Sequence, residues 1–271
     1  LSVYLLYNQV VMKKIIITSL ISILLISSVS AGTDGENKLS KSKEPAKDCF
    51  EGLNRATFSL NQKLDTAIFK PVAKAYISLP SPVRTGTSNA LENLSSLVTI
   101  PNNVLQGNIK MAGVNTGRFI VNTTVGILGI FDVAEKIGFP EYEKEDYGQT
   151  LGVMGVGEGC YLVLPILGPS TVRDTAGSFL NLLGGDPWYN ASVHGNNEFL
   201  TNSQYVTTKI ISAVDFRAKN IDSLENLQKN SMDFYASVKS LYLQDRQQKI
   251  ANTKGNLEII YDADWEEIES Q

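Results

Sequence analysis

Three observations predict an all-α chain folded as a single compact helical domain. Apolar residues recur at helical spacing through most of residues 48–255. No run of alternating apolar and polar residues is long enough to build a barrel. The roughly 210 residues between Asp48 and Gly255 are enough for one sizeable core.

From Asn54 to Tyr76, the positions Phe58, Leu64, Ile68, Val72 and Tyr76 predict a helix, interrupted or bent near Pro71. SLPSP reads as a loop. Val83 to Leu97 predicts a second helix, and Pro101 opens a short segment through Leu105 and Ile109. An apolar helix is expected over about Met111–Ile137, followed by a charged, exposed turn at Glu141–Asp146. The stretch LGVMGVGEGCYLVLPILGPS carries glycines at 152, 155, 157, 159 and 168. That density breaks helices and suits a tight bend or a hairpin. After Trp188 a polar loop leads to a helix at Gln204–Lys219, with Val206, Ile210 and Val214 at fourfold spacing. Asp222 and Glu225 have capping-box separation and open a further helix. Tyr235, Val238, Leu241 and Tyr242 mark a final amphipathic one.

The stretch RFIVNTTVGILGIFDVA, Arg118 to Ala134, is too apolar for an ordinary surface helix. Between Arg118 and Asp132 lie thirteen uncharged residues. As a helix they reach about 20 Å, short of the roughly 30 Å of bilayer hydrocarbon. Phe119, Ile120, Val121, Ile127, Leu128, Ile130 and Phe131 spread over a wide arc. Arg118, Asn122, Gly126, Gly129 and Asp132 fall on the remaining narrow stripe. Burying each large side chain is worth about 1.5–3 kcal/mol, so the arc must meet protein core or lipid. On the residues alone, the central helix of a soluble bundle is the better account.

The start of the chain has its own organisation. Met12-Lys13-Lys14, the apolar run IIITSLISILLISSV and the small residues Val29-Ser30-Ala31 predict a secretory signal peptide over 12–31, with residues 1–11 upstream of the true start. A retained membrane anchor is the alternative. Residues 32–47 are polar and predict a disordered tether ahead of the helical domain at 48–255. Residues 256–271 form an acidic tail with six carboxylates and no base. Between Gly32 and Gly255 the chain carries 22 basic and 22 acidic residues. A neutral body argues against nucleic acid, which demands a basic footprint. Cys49 and Cys160 are the two cysteines. In an oxidising compartment they can pair, but spacing alone does not give their distance.

No catalytic constellation stands out. His194 is the only histidine, in the loop SVHGNNE, and there is no G-x-S-x-G elbow. Gly155-Val156-Gly157-Glu158-Gly159 imitates a nucleotide loop without its third spacing or a P-loop lysine, and reads better as a structural turn. Glu141, Glu143, Glu145 and Asp146 read as a solvated charge run rather than a metal or acid–base site. Arg173-Asp174 reads as a structural ion pair, with contact to a lipid phosphate as the alternative.

Several separated blocks nonetheless carry a resemblance. Asp48-Cys49-Phe50-Glu51-Gly52-Leu53-Asn54-Arg55 with Phe58 resembles the D-P-x-E-G-x-N-R-x-x-F opening of the MlaA/VacJ family. Arg118-Phe119-Ile120-Val121-Asn122-Thr123, Gly129-Ile130-Phe131-Asp132 and Gly148-Gln149-Thr150-Leu151-Gly152 follow in the same order. Gly155-Val156-Gly157, Tyr161-Leu162-Val163-Leu164-Pro165 and Arg173-Asp174 complete it, with looser likeness to about Gly255.

The resemblance implies helices embedded in one leaflet, the inner leaflet of a Gram-negative outer membrane. It implies removal of misplaced phospholipid from the outer leaflet through a central hydrophilic channel. The partners it implies are phospholipid, a trimeric porin and a soluble periplasmic lipid carrier, with no enzymatic step and no cofactor. It also moves the apolar arc of 119–131 from core to lipid. The residues expected at the channel are Arg118, Asn122 and Asp132, with Gly126 and Gly129 admitting a neighbouring helix. The bend through Gly152, Gly155, Gly157 and Gly159 is expected to shape the opening, with Arg173 near a phosphate. Asn122→Leu is expected to impair lipid movement while sparing folding. A soluble periplasmic scaffold is the alternative function. Two departures stand out. The signal region ends VSA-G with no cysteine for acylation, and Cys49 and Cys160 occupy places where the family commonly has proline.

Overall fold

The computed structural model describes residues 46–181, 185–193 and 201–269. The expected signal peptide, most of the expected tether and His194 lie outside them. The described residues belong to a single unit spanning Glu44–Gln271, and it is helical apart from one short hairpin.

The chain enters at α1 (Glu51–Leu64), widens into a π-helical turn at Asp65–Phe69 and continues as α2 (Lys70–Ile77). Pro71 has no N–H to give the preceding turn, and the π turn absorbs that misfit without stopping the helix. After a break at Ser78–Pro80, α3 runs unbroken from Ser81 to Leu105. This corrects the expectation of two segments. Pro101 sits inside the helix, and the Asn102 side chain donates to the Val98 carbonyl (2.8 Å) beside it. The Asn108 side chain accepts from Met111 N–H and caps α4 (Ile109–Thr124).

The expected long apolar helix does not continue to Ile137. It ends at Thr124, and residues 125–131 wind through a tight turn before the short α5 (Val133–Lys136). Ile127, Leu128 and Gly129 take φ values of 53°, 57° and 87°, which no right-handed helix contains. A Cβ on Gly129 would lie 2.5 Å from Asn93 of α3. The turn is therefore pressed against α3, and its apolar side chains splay outward.

Asp146 caps α6 (Tyr147–Val153), accepting from Gln149 N–H at 2.9 Å. The glycine-rich stretch then forms the expected hairpin. β1 (Tyr161–Leu164) pairs antiparallel with β2 (Gly168–Thr171), Tyr161 opposite Thr171 and Leu164 opposite Gly168. Cys160, just before β1, is disulfide-bonded to Cys49, with Cα atoms 5.5 Å apart. Next come α7 (Val172–Leu180), capped by Thr171, and α8 (Pro187–Ser192), capped by Asp186. Thr201 and Gln204 form a full capping box for α9 (Asn202–Lys219). The box expected at Asp222 is not made: α10 (Ile221–Asn230) starts at Asn220 without a side-chain cap, and Glu225 pairs with Lys70 instead. The long α11 (Phe234–Glu269) closes the fold and packs on α6 and β2.

The interior is polar. Among the described residues ten apolar residues are buried, four of them alanine, against twenty-four polar or charged ones. The buried face of α3 is Gly86, Ser88, Asn93, Ser96, Thr99, Asn102 and Asn103. One small apolar cluster exists, where Tyr161, Val163, Tyr235 and Leu243 meet Phe58 and Tyr242. Thirty large apolar side chains lie on the outside, among them Ile120, Val125, Ile127, Leu128, Ile130 and Phe131. Water-soluble domains arrange these classes the other way round. Among the described residues no helix is long and apolar enough to cross a membrane.

Candidate lipid passage

Three polar cavities adjoin along one face of α3. The largest, about 410 Å³, lies between α3, the segment Lys144–Tyr147, α7 and α9. It shares Leu91, Ser95, Lys144 and Ser212 with a second cavity of about 400 Å³. The second shares Ser88, Asn89, Glu92, Asp215 and Lys219 with a third of about 250 Å³. From Ser81 to Val98 this wall follows about 25 Å of helix. The facing wall is the stripe Thr208, Lys209, Ser212, Asp215 and Lys219 of α9. These residues recur every three or four positions, so one helix face supplies all of them.

Both signs of charge line the passage. Arg246 of α11 bridges two carboxylates, with Nη1 2.7 Å from Asp146 Oδ2 and Nη2 2.9 Å from Asp174 Oδ1. Burial pushes both acids up, but the hydrogen bonds and charge of Arg246 win and hold them below the usual carboxylate range. Asp186 accepts from the Trp188 and Tyr189 N–H groups, the Tyr205 hydroxyl and the Lys209 ammonium. There too burial is outweighed and the acid stays below its ordinary value, chiefly through Tyr205 and Lys209. Glu145 is the opposite case. It is 6% exposed, and burial pushes its carboxyl to about 7 despite a hydrogen bond from Gln106. The expected solvated charge run at 141–146 is therefore partly interior.

Lys144 stands where the first two cavities meet. Solvent reaches it, yet protein rings it closely enough that burial pulls its ammonium below the ordinary value. Among the described residues it forms no ion pair. An ammonium open to a polar cavity can accept an anionic oxygen without breaking an existing bridge. The nearby carboxylates can receive a cationic amine. That is the recognition chemistry of a zwitterionic headgroup.

The structure brings Arg118, Asn122 and Asp132 together. Arg118 Nη2 lies 2.6 Å from Asp132 Oδ2, and its Nη1 donates to the Pro140 carbonyl at 2.7 Å. Asn122 Nδ2 donates to Asp132 Oδ1, and Asn122 Oδ1 accepts from Ala134 N–H, both at 2.9 Å. Burial pushes Asp132 up, but the Glu135 N–H, Asn122 and Arg118 together keep it below the ordinary value. Arg118 and Asp132 border the second cavity, yet the trio pins the 125–140 turn to α4. Asn122→Leu would remove two of the hydrogen bonds in this pin.

The glycines are placed differently from expectation. Gly126 is crowded by its own turn, at Phe131 and Asn122, rather than by a neighbouring helix, whereas Gly129 does meet α3. Gly152 lies inside α6 against Ile250 of α11, and Gly155, Gly157 and Gly159 carry the chain from α6 to β1. Arg173 is buried and paired with Asp174 at 3.0 Å, as the ion-pair reading expected. None of these last five lines the three cavities. Lys144, Asp186, Lys209 and Arg246 were not anticipated. The polar stripe on α9 was the available signal; Val206 and Ile210, which share its apolar spacing, are more than half exposed. No group of His, Cys, Asp and Glu able to hold a metal occurs among the described residues.

Comparison with known proteins gives a consistent picture. Residues 46–249 match the family model described as MlaA lipoprotein. The intermembrane phospholipid transport system lipoprotein MlaA of Escherichia coli is 33% identical over 234 residues, 84% of this chain and 85% of that one. An uncharacterised protein of Rickettsia bellii is 31% identical over 209 residues, 76% of this chain and 78% of its own length. A solved structure described as the structural basis for maintenance of bacterial outer membrane lipid asymmetry superposes with a TM-score of 0.63 at 32% identity. The match covers 75% of this chain and 99% of that one.

Proposed function

This chain belongs to the MlaA lipoprotein family, and from that premise we propose that it is a phospholipid transport protein that maintains outer-membrane lipid asymmetry. It sits in the inner leaflet, takes phospholipid from the outer leaflet through its polar passage and hands it to a periplasmic carrier beside a porin trimer. Transport is by partition, with no chemical turnover.

The observation that carries this reading is the inverted distribution of side chains. Exposed Ile120, Val125, Ile127, Leu128, Ile130 and Phe131 form an apolar belt that water penalises and acyl chains accept. Behind that belt, the polar cavities offer a headgroup partners along about 25 Å of α3. An unpaired polar group in hydrocarbon costs several kcal/mol, so a lipid crosses only where such partners accompany it. Lys144 is the phosphate contact at mid-passage, and Arg118 and Asp132 hold the wall in place. A soluble scaffold would gain nothing from thirty exposed large apolar side chains.

The test is native purification of the full chain in mild detergent, followed by mass spectrometry for bound phospholipid and porin. Lys144→Glu is then compared for surface phospholipid in cells that rely on this protein. The expected results are copurifying phospholipid and a rise in surface phospholipid with Lys144→Glu. A monomeric, lipid-free protein extracted by plain buffer would overturn the proposal.

A further inference from the structure

A separate apolar groove of about 390 Å³ opens between α1, the hairpin tip, α9, α10 and α11. Phe58, Phe69, Leu224, Phe234 and Val238 supply its apolar lining. Its volume falls within the roughly 300–1,000 Å³ typical of small-ligand sites. It is not isolated from the passage. Leu167 and Pro169 of the hairpin line both the groove and the first polar cavity, and Phe216 lines both the groove and the second. The partition between polar and apolar compartments is thus a few side chains thick, and Leu167 and Phe216 in it are themselves exposed.

At the groove wall, Arg217 forks onto Asp65 with contacts of 2.7 and 2.8 Å. Its remaining nitrogen, Nη1, is buried without a hydrogen-bond partner.

We propose that this groove seats one acyl chain of a phospholipid whose headgroup occupies the adjoining polar cavities. The inference rests on the transport reading above and extends it. Partition explains how a headgroup crosses while its tails stay in the leaflet. It does not explain how the tails leave the leaflet for a carrier, a step that bares their methylenes to water, at a cost in free energy. An apolar groove beside the headgroup path removes part of that cost. The juxtaposition across Leu167, Pro169 and Phe216 fits an amphiphile with one polar and one apolar end. A partner's apolar helix, the other occupant to consider, would have no use for the polar side.

The test is photocrosslinking of the full chain in mild detergent with two phosphatidylethanolamine probes, one with a diazirine at the acyl terminus and one with it on the headgroup. Adducts are mapped by mass spectrometry. The expected acyl adducts fall on residues 58–69 and 213–238. Val238→Trp, and independently Leu224→Trp, should reduce them about tenfold, a change of about 1.4 kcal/mol in occupancy. Circular dichroism and the intact disulfide identify a folded variant. Absence of acyl adducts from the groove overturns the proposal wherever else they fall, including the outer belt at Ile120, Ile127 and Leu128. The headgroup probe judges the passage separately: adducts near Lys144 or Lys209 sustain the transport reading even if the groove is empty, and their absence removes it.

Discussion

Replacing Glu145 with glutamine isolates one buried charge. Burial raises this carboxyl from its ordinary 4.5 to about 7, while Gln106 donates to it at 2.9 Å. An acid whose folded value is raised keeps its proton in the native state at pH values where the unfolded chain has already lost it. Native stability therefore falls as pH climbs from about 4.5 to about 7, then levels off. At about 1.36 kcal/mol for each tenfold change in proton affinity, the full loss is about 3 kcal/mol. Glu145→Gln keeps the shape and an oxygen to accept from Gln106, but has no charge to desolvate. Its curve should match wild type near pH 4 and rise above it through pH 5–7, by up to about 3 kcal/mol at pH 8. The acids held below their ordinary values, Asp132, Asp146, Asp174 and Asp186, act at lower pH and cancel in the difference. Guanidinium unfolding in mild detergent, followed by circular dichroism at half-unit pH steps, supplies the comparison. A constant gap between the two curves from pH 4 to 8 would refute the burial argument.

Other perturbations follow from the same geometry. Arg246→Ala takes the ion pair from Asp146 and leaves Asp174 with Arg173 and Tyr242, and should cost about 3 kcal/mol at neutral pH, shrinking in acid as both carboxyls protonate, which the same unfolding series reads. The double change Cys49→Ser and Cys160→Ser opens a cross-link between positions 111 residues apart. On the chain-entropy account it should cost about 4–5 kcal/mol, and reductant should lower the melting temperature of wild type but not of the double variant. Asn122→Leu removes two hydrogen bonds from the pin at Asp132 and should destabilise by about 2–4 kcal/mol; an unchanged melting temperature would return Asn122 to a purely functional role.

The helices were legible wherever period alone decides, as at α1, α9 and the opening of α11. What periodicity does not report is which solvent the apolar side of a helix meets. Val206 and Ile210 were correctly seen to share a face, and that face is outside. The same blindness split α3, because a buried row of Ser, Thr and Asn gives no apolar signal. At residues 125–131 the string of apolar residues concealed a turn clamped by Asn122 and Asp132 at its two ends and by Asn93 of α3, thirty residues from its partner Thr123, and none of these contacts shows in apolar periodicity. The passage was least legible for a related reason. Its charges come from α3, α9, α11 and the 144–147 segment, far apart in the chain, and adjacency between them exists only after folding. Ordered motif agreement identified the family well before any single residue's role could be read.

A molecule whose outer face is its greasiest part has a fragile journey. Among the described residues thirty large apolar side chains lie at the surface around a hydrogen-bonded interior, and on the transport reading amphiphile covers them. Anything bound to the native form and not to the unfolded chain raises stability by mass action, so melting temperature becomes a joint property of this polypeptide and its detergent or lipid. In plain buffer the nearest available cover for that face is another copy of itself.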